Sequence, residues 1–420
     1  MKKRKKVYRK KQILIKHVMR TLKYFVAAFA LVCMTSAAFA QPNVPEKTQR
    51  KGFEFTTVKA NPITGIRNQG SSGTCWAFST TSFFESEAIK KGTADTSLRL
   101  SVMYTVTKNY IEKMRKFIRV DGYLCFAEGG SFEDVAHTFE DYGVVQEADM
   151  PDLLPGEKRI NFRELTAIST GLSEAAKKAG GKISPRFMDT YKGILENYLG
   201  KCPESTIYNG VTYTPKEFVT KGLGLNMEDY VSVTSFTHYP FYTRFAIEVP
   251  DNWRWDLSYN VPIDELMAMM DNAIENGYTI AWGSDVSEVG FNRDGIGVVP
   301  DMEDLAKNAV GSDQARWVGG NNPNARPQIV EPVKELTITQ EMRQTGYDDK
   351  STTDDHGMQI FGIAKDQNGT KYYMVKNSWG PAGKYKGIWY VSEAFVRYKP
   401  MNILINTTAI PKAIRKKMGI

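Results

Sequence analysis

The sequence has few of the residues from which metal sites and disulfide scaffolds are built. Its 420 residues include only four cysteines and four histidines, which are scattered and do not stand at the close spacings of metal ligands. A phosphate-binding glycine loop, a long low-complexity linker and an internal repeat are also absent. These absences exclude a small disulfide-rich domain, and neither a metal nor another cofactor is expected.

Hydrophobic runs long enough to span a membrane are missing as well. Hydrophobic residues make up 42 % and charged residues 24 % of the chain, close to the values of folded globular proteins. Disordered, collagen-like and multi-span membrane classes are therefore excluded. The length is enough for one large domain or for two to three ordinary ones.

The positive charge of the chain is concentrated at its N-terminus. The formal net charge is +8, but residues 1–40 carry eleven lysines and arginines and no acidic residue. The rest of the chain therefore carries a net charge of about −3. Nucleic acid is not an expected partner, because a mildly acidic body offers little attraction to a phosphate backbone.

Residues 25–40 form an apolar stretch that is too short to cross a bilayer stably. It follows a basic segment and ends in Ala-Phe-Ala at 38–40, a small-residue cleavage pattern before Gln41. This arrangement predicts a secretory signal peptide over residues 1–40 and no membrane span in the processed chain. Export would place the protein in the periplasm or outside a bacterial cell.

Two details of this segment leave alternatives open. The basic leader is long, and a second start at Met19 would give a signal of ordinary length, in which case residues 1–18 are not translated. Cys33 suggests lipid attachment, but the bulky Val32 before it makes that the minor interpretation.

Hydrophobic periodicity divides the processed chain into helical and strand-rich parts. Helices are predicted at 75–91, where Gly92 supplies a stop, and at 101–118 and 131–142. β-Branched and aromatic runs predict the strands of an antiparallel sheet at 278–286, 357–366, 371–379 and 386–392.

The predicted organisation is α+β. A lysine-rich region interrupted by prolines separates the helical part from the strands and indicates an insertion. The expected parts are a helical lobe at 41–156, an inserted hook-like helical subdomain at 157–235, a β lobe at 236–405 and a C-terminal arm at 406–420.

One cysteine is expected to serve chemistry. After removal of the signal peptide Cys75, Cys125 and Cys202 remain, an odd number in a protein expected to reach an oxidising compartment. Cys125 and Cys202 are interpreted as small buried hydrophobic residues. Cys75 begins a predicted helix, where the helix dipole and free backbone N–H groups lower a thiol pKa and favour the thiolate.

His356 is the histidine best placed to act with Cys75. The turn at 366–369 joins two predicted strands, and the midpoint between positions 356 and 377 falls inside it. Asn377 should therefore lie on a neighbouring rung of the hairpin and orient the ring. Structural roles are expected for the other two histidines of the processed chain, His137 and His238.

These residues suggest acyl transfer through a thioester. Cys75 would attack a peptide carbonyl, His356 would protonate the leaving amine, and Asn377 would hold the imidazole ring. Gln69, on the loop that enters the helix, would place its side-chain N–H₂ beside the backbone N–H of Cys75 to stabilise the oxyanion. Asp355 is interpreted either as tuning His356 or as a solvated turn residue.

Four short strings resemble the papain-like cysteine peptidases. They are NQGSSGTCWAFS at 68–79, GG at 129–130, DHGM at 355–358 and KNSWG at 376–380. Ser72 stands where secreted members of that family usually have a disulfide cysteine. In this respect the chain resembles the bleomycin hydrolase or aminopeptidase C branch, as do the strings at 194–204 and 213–219.

The resemblance implies a papain-like two-lobe fold, with a helical lobe, an antiparallel β-barrel-like lobe and the inserted subdomain. Trp379 matches an indole that shields the histidine–asparagine bond. Gly129 and Gly130 match a pair beside which an extended substrate backbone lies. Four catalytic positions of the family match Gln69, Cys75, His356 and Asn377.

Members of this branch are typically homohexamers that trim peptides from the amino end and hold a C-terminal arm in the cleft. The resemblance therefore implies peptide substrates, a hexamer and aminopeptidase activity, with the carboxylate of Ile420 meeting the substrate's ammonium group. The tail at 406–420 is shorter than that arm, so an endopeptidase with an ungated cleft is the close alternative. A non-catalytic binding protein on the same fold is a further alternative, but all four catalytic residue types are retained.

Overall fold

A computed structural model describes residues 52–308 and 329–420. The described residues belong to one compact unit, Gly52–Ile420. The predicted signal peptide, with its alternatives at Met19 and Cys33, lies outside them. Within the described residues no helix has the length and apolar character needed to cross a membrane.

The first half of the described chain is mainly helical. Its helices are α1 (Cys75–Lys91), α2 (Val102–Arg119), α3 (Phe132–Asp141), α4 (Arg163–Lys178), α5 (Pro185–Leu199) and the single turn α6 (Pro215–Glu217). The helices predicted at 75–91, 101–118 and 131–142 are confirmed as α1, α2 and α3. The stop after α1 is also confirmed, because Gly92 adopts a left-handed conformation (φ 76°) that glycine tolerates without strain.

The second half supplies most of the strands. Its helices are α7 (Ile263–Glu275), α8 (Met302–Asn308), α9 (Gln340–Asp348), α10 (Glu393–Tyr398) and α11 (Lys412–Met418). The strands of the whole described chain are β1 (Phe55–Ala60), β2 (Thr206–Tyr208), β3 (Val211–Tyr213), β4 (Tyr230–Thr234), β5 (Arg244–Ala246), β6 (Leu257–Asn260), β7 (Ile280–Ser284), β8 (Ile296–Gly297), β9 (His356–Asp366), β10 (Lys371–Lys376), β11 (Ile388–Ser392) and β12 (Pro400–Asn406).

One ten-stranded sheet forms the centre of the β lobe. Its order is β5-β6-β4-β12-β7-β9-β10-β11-β8, with β1 paired to β9, while β2 and β3 form a separate hairpin. The pairings are antiparallel except β4 with β6 and β11 with β8. The four predicted strands are confirmed as β7, β9, β10 and β11, and the α+β papain-like fold is confirmed with them.

The region predicted as an insert at 157–235 is divided between the two lobes. Helices α4 and α5 bury Leu165, Tyr191 and Leu195 in the same hydrophobic core as α1, so they extend the helical lobe. Strand β4, which the predicted boundaries place in the insert, lies between β6 and β12 in the main sheet. The sheet therefore begins before the predicted boundary at 235.

Helix α1 packs closely against β9, and a glycine allows this approach. A Cβ on Gly357 would lie 2.8 Å from Ser79 Oγ and 3.3 Å from the Cα of Trp76. Further along β9, Gln359 Oε1 accepts a hydrogen bond of 2.7 Å from Ser82 Oγ on α1. These contacts hold the first residue of β9 beside the first turn of α1.

Candidate active site

Cys75 is the first residue of α1 and lines a cleft between the helical lobe and the sheet. The carbonyl of Thr74 accepts the first helical hydrogen bonds, from the N–H groups of Ala77 and Phe78 at 3.0 and 3.1 Å. The side chain of Thr74 makes no capping bond. The half-buried thiol therefore stands at an uncapped helix N-terminus.

Burial raises the pKa of the Cys75 thiol to about 12. Backbone N–H groups of Gly357 and Trp76 lower this pKa, while the carboxylates of Asp354 and Asp251 raise it further. The prediction of a lowered thiol pKa is therefore wrong, since burial and nearby negative charge outweigh the effect of the helix N-terminus. The thiol must give its proton to a base in the cleft.

His356, the first residue of β9, is buried and bonded to Asn377. Its Nε2 lies 2.8 Å from Asn377 Oδ1. The ladder between β9 and β10 shifts register between Met374 and Val375 and ends with Lys376 opposite Gln359. Asn377 follows that last pair, in a ladder shifted by two residues from the predicted register. The two side chains therefore meet diagonally across the hairpin.

The hydrogen bonds around Asn377 determine which ring nitrogen of His356 carries the proton. The backbone N–H of Ser378 donates to Asn377 Oδ1 at 2.7 Å, so this atom is an acceptor and His356 Nε2 is the donor. The other nitrogen, Nδ1, is then free to accept a proton. Burial lowers the pKa of His356 to about 4, and the bond to Asn377 raises it in part. The ring is therefore neutral at physiological pH and can act as the base.

The indole of Trp379 covers this pair. Its ring centroid lies 4.7 Å from that of His356 at an interplanar angle of 29°. Trp389 packs edge-on against this indole, with centroids 5.4 Å apart. The arrangement fits the shielding role that the resemblance implies for Trp379.

Gln69 lies on a loop that is bonded to the segment after Asn377. Its backbone N–H donates to the carbonyl of Ser378 at 2.8 Å, and its Oε1 accepts from Ser378 Oγ at 2.6 Å. Its Nε2 donates to the carbonyl of Ser72 at 2.7 Å. The amide has a second N–H that remains for a substrate oxygen, and the oxyanion role of Gln69 stays a prediction.

The two glycines of the predicted pair have different surroundings, and only Gly130 lines the cleft, beside Cys75. Gly129 lies beneath Asp251, whose carboxylate would collide with any Cβ at that position. The carbonyl of Gly129 also accepts a hydrogen bond of 2.8 Å from the buried Lys113 Nζ. Gly130 is therefore the member of the pair that can face an extended substrate.

Ile420 is not brought to the cleft. It follows α11, and its N–H donates to the carbonyl of Arg415 at 3.1 Å. Helix α11 packs through Ile414 and Met418 into the core that contains α7, and Lys417 forms an ion pair with Glu265 of α7. The tail is held there as a helix, so its carboxylate does not take the position expected from the resemblance.

The remaining polar candidates take structural positions. Asp355 lines the cleft, and it accepts a hydrogen bond of 3.2 Å from the N–H of Val286 and has no bond to His356. His137 Nε2 lies 2.9 Å from Asp256 Oδ1, and His238 Nδ1 lies 3.1 Å from Gln344 Nε2.

The three cysteines of the described chain are free. Cys125 is exposed, which corrects its interpretation as a buried hydrophobic residue, whereas Cys202 is half-buried and packs against the core of the helical lobe. The segment around Cys125 is a surface turn between α2 and α3, so burial was not available there.

Sequence reasoning missed three carboxylates that line the cleft. They are Glu133, Asp251 and Asp354. The sequence shows Asp354 only as part of a polar turn. No local pattern singles out Asp251, which is far from Cys75 in sequence and lies in the cleft because of the fold. Among the described residues, no group of three or more His, Cys, Asp and Glu side chains is arranged to hold a metal ion.

Two family models match this chain. The papain family cysteine protease model matches residues 51–161, and the Peptidase C1-like family model matches residues 203–306. The chain is 22 % identical to aminopeptidase E of Lactobacillus helveticus over 370 residues, which is 77 % of this chain and 76 % of that protein. It is 23 % identical to aminopeptidase C of Streptococcus thermophilus over 385 residues, which is 79 % of this chain and 78 % of that protein.

The chain belongs to the papain-like cysteine peptidases, in the aminopeptidase C and bleomycin hydrolase branch. The crystal structure of PepW from Lactobacillus rhamnosis shares its fold, with a TM-score of 0.65 and 18 % identity over 87 % of this chain and 84 % of that one. This cysteine peptidase thus combines the family's fold with a cleft that contains a thiol, a neutral imidazole and unpaired carboxylates.

Proposed function

We propose that this cysteine peptidase is an aminopeptidase that removes residues from the amino end of peptides. The observation that carries the proposal is that Cys75 shares one cleft with His356, which Asn377 holds with Nδ1 free. The names of the similar proteins, aminopeptidases E and C, support the choice of the amino end.

The reaction follows from these positions. His356 Nδ1 takes the thiol proton while the sulfur of Cys75 attacks the carbonyl carbon, and the resulting oxyanion is stabilised by the backbone N–H of Cys75 and the amide of Gln69. The imidazolium then gives its proton to the leaving amine, and a thioester remains. The leaving amine is the shortened peptide. Water, deprotonated by His356, then attacks the thioester and releases the N-terminal amino acid and the free thiol.

Release of a fluorophore from paired substrates tests this function. Alanyl and dialanyl coumarylamides are offered in the free-amino and the N-acetyl form, to the wild type and to Cys75→Ala. We expect release from the free-amino substrates, little from the acetylated ones, and none with Cys75→Ala. Equal release from both forms would identify an endopeptidase.

Labelling with an epoxide thiol trap, followed by peptide mapping, separates an enzyme from a binding protein. The trap is expected to modify Cys75. Modification of Cys125 or Cys202 with Cys75 untouched would favour a non-catalytic protein on the same fold.

Export and assembly are part of the proposal. The sequence pattern of residues 1–40 supports export, and N-terminal sequencing of the mature protein should then begin at Gln41. The branch resemblance supports a homohexamer, which sedimentation analysis would detect as six chains. A mature chain that keeps residue 19 would contradict removal of the signal peptide. A monomer in solution would contradict the hexamer.

A further inference from the structure

Residues 247–256 connect the neighbouring strands β5 and β6, and we refer to them as the strap. The side chain of Asn252 fixes its shape from inside. Asn252 Nδ2 donates to the carbonyls of Ile247 and Asp256 at 3.1 and 3.0 Å, and its Oδ1 accepts from the N–H of Asp256 at 2.9 Å. The strap is therefore an organised loop with a defined path.

The strap crosses from the sheet to the helical lobe and is anchored there. Trp253 Nε1 and Arg254 Nε donate to the two carboxylate oxygens of Asp134 at 2.8 and 2.7 Å, and Asp134 on α3 has no exposed surface. Lys116 Nζ on α2 donates to the carbonyl of Arg254 at 2.7 Å. Because it is bonded to both lobes, the strap closes one end of the cleft.

The closed end lies beside Gly130 and away from the Gln69 amide and the Trp379 indole. Its lining includes Cys75, Gly130 and the strap residues Val249 and Asp251, and it contains neither Gln69 nor Trp379. A substrate that extends along Gly130 would direct the residues before the cleaved bond toward this end. The strap therefore limits how many such residues can enter.

Three carboxylates, those of Glu133, Asp251 and Asp354, line the closed end. Glu133 Oε2 is sealed from solvent and has no hydrogen-bond partner. Asp251 and Asp354 make no side-chain hydrogen bond to any residue that the structure describes. The buried Glu133 Oε2 without a donor is costly, and the two half-buried aspartates beside it offer further acceptors, so this end of the cleft suits a ligand that supplies N–H groups and positive charge.

The positive charge available from the protein does not satisfy these groups. Lys113 is the buried cation that acts on Asp251, but its Nζ donates to the carbonyls of Ala127 and Gly129. Burial raises the pKa of all three carboxyls, and that of Asp354 reaches about 7, with Asp251, Asp355 and Glu133 adding repulsion. An ammonium group brings three N–H donors and one positive charge.

We propose that the strap blocks the amino-side end of the cleft and that Asp251, with Asp354 and Glu133, binds the α-ammonium group of the substrate. This inference rests on the aminopeptidase function proposed above. In this chain an internal loop then performs the task that the resemblance assigned to the C-terminal carboxylate of Ile420.

Bound ammonium also acts on the nucleophile. The charges of Asp354 and Asp251 oppose formation of the Cys75 thiolate. A substrate ammonium that neutralises these charges therefore favours attack by the sulfur, whereas an N-acetyl substrate leaves the carboxylates unpaired. The free amino group should improve both KM and kcat.

The test compares Asp251→Asn and Asp354→Asn with the wild type on the paired free-amino and N-acetyl substrates. Each variant is expected to lower kcat/KM on the free-amino substrate at least tenfold and to raise it on the acetylated substrate, because the repulsion of the Cys75 thiolate is removed with the charge. Glu248→Gln is the matched control, because Glu248 lies on the same strap, is exposed and does not line the cleft. It should keep the wild-type ratio.

Several outcomes would overturn the inference. The carboxylates do not bind the ammonium group if both variants keep the wild-type ratio of kcat/KM between free-amino and N-acetyl substrates. The same conclusion follows if kcat/KM falls equally on both substrates while the epoxide trap still labels Cys75. Strong cleavage by the wild type of an N-acetyl substrate with lysine before the cleaved residue would place a side-chain cation in the pocket instead. A wild type that cleaves blocked and free substrates equally would refute the aminopeptidase function itself, which is a distinguishable result.

Discussion

Trp253 Nε1 donates a 2.8 Å hydrogen bond to the carboxylate of Asp134. Asp134 also accepts from the N–H of Ser131 at 2.8 Å and so closes the capping box at the start of α3. One buried carboxylate therefore fixes the strap and the helix that follows Gly130. The shape of the closed end depends on this shared acceptor.

Replacing Trp253 by Phe should loosen the strap. The change keeps most of the ring packing and removes a hydrogen bond to a charged group, which is worth about 1.5–3 kcal/mol of unfolding free energy. Cleavage of N-acetyl substrates should rise relative to free-amino ones, as measured by the paired coumarylamides. Trp255→Phe is the control, since Trp255 is 57 % exposed and should change stability by less than about 0.5 kcal/mol. A wild-type substrate ratio in Trp253→Phe would contradict the prediction.

Asn377→Ala should lower kcat about 10- to 100-fold, which corresponds to the loss of one hydrogen bond to a ring that becomes charged during the reaction. The thiol remains in place, so epoxide labelling of Cys75 should persist at a reduced rate. Asn368→Ala, in the exposed turn of the same hairpin, should keep wild-type kcat. A change of less than twofold in Asn377→Ala would show that the ring is held by Trp379 alone.

Gly357→Val should separate β9 from α1. A Cβ at this position already lies 2.8 Å from Ser79 Oγ, and the larger side chain must displace the helix or the strand, at a cost of about 1–3 kcal/mol. Activity should fall with stability because His356 is the adjacent residue. Denaturant unfolding and kcat/KM measure the two effects. The control is Gly193→Ala on α5, where open space surrounds the glycine, and it should instead raise stability by about 0.5–1 kcal/mol. Wild-type activity in Gly357→Val would refute the close-packing argument.

Deleting Gly419 and Ile420 should leave the preference for free-amino substrates within a factor of two. The C-terminus follows α11, which packs in the core containing α7, and it does not line the cleft. The paired substrates measure this directly, with Asp251→Asn as the variant in which the preference should be lost. Increased cleavage of blocked peptides after the deletion would show that the tail reaches the active site.

Stability should fall as the pH rises from about 5 to 7. Burial raises the pKa of Glu87 to about 7 from its usual 4.5, and that of Glu335 to about 7 as well. Between pH 4.5 and about 7 each carboxyl keeps its proton in the folded protein and has lost it in the unfolded chain. Each group therefore lowers the unfolding free energy by up to about 1.4 kcal/mol for every unit by which the pH rises.

Glu87→Gln isolates one of these contributions. Gln keeps an acceptor for Asn406 Nδ2, which now donates to Glu87 at 2.8 Å, but it cannot ionise. Unfolding free energies measured between pH 5 and 8 should show a shallower slope than the wild type. Glu204→Gln, on an exposed residue, should keep the wild-type slope, and an unchanged slope in Glu87→Gln would contradict the assignment.

The parts of the site that depend on local signals could be predicted from the sequence. Helix α1 was predicted from its periodicity and its terminal glycine, and the meeting of His356 with Asn377 followed from the symmetry of one hairpin. The strap could not be predicted, because its position depends on the contact of Trp253 with Asp134, which are 119 positions apart.

The thiol pKa and the place of Ile420 also needed the structure. The dipole at the start of α1 is a local property, whereas the burial of Cys75 and the carboxylates near it result from the assembly of both lobes. The tail was placed by resemblance, and its own helix-forming sequence directs it onto α7 instead.

The strap begins and ends on two strands that pair with each other, β5 and β6. A loop between such neighbours can gain or lose residues while the sheet around it stays intact, because lengthening a loop adds only a small entropic cost. The depth of the recess in front of the nucleophile, and with it the size of the fragment released at each turnover, is thus set by a short insertable segment. In a protease of this design, a change in the length of this loop can change the number of residues released per cleavage without altering the residues that perform the chemistry.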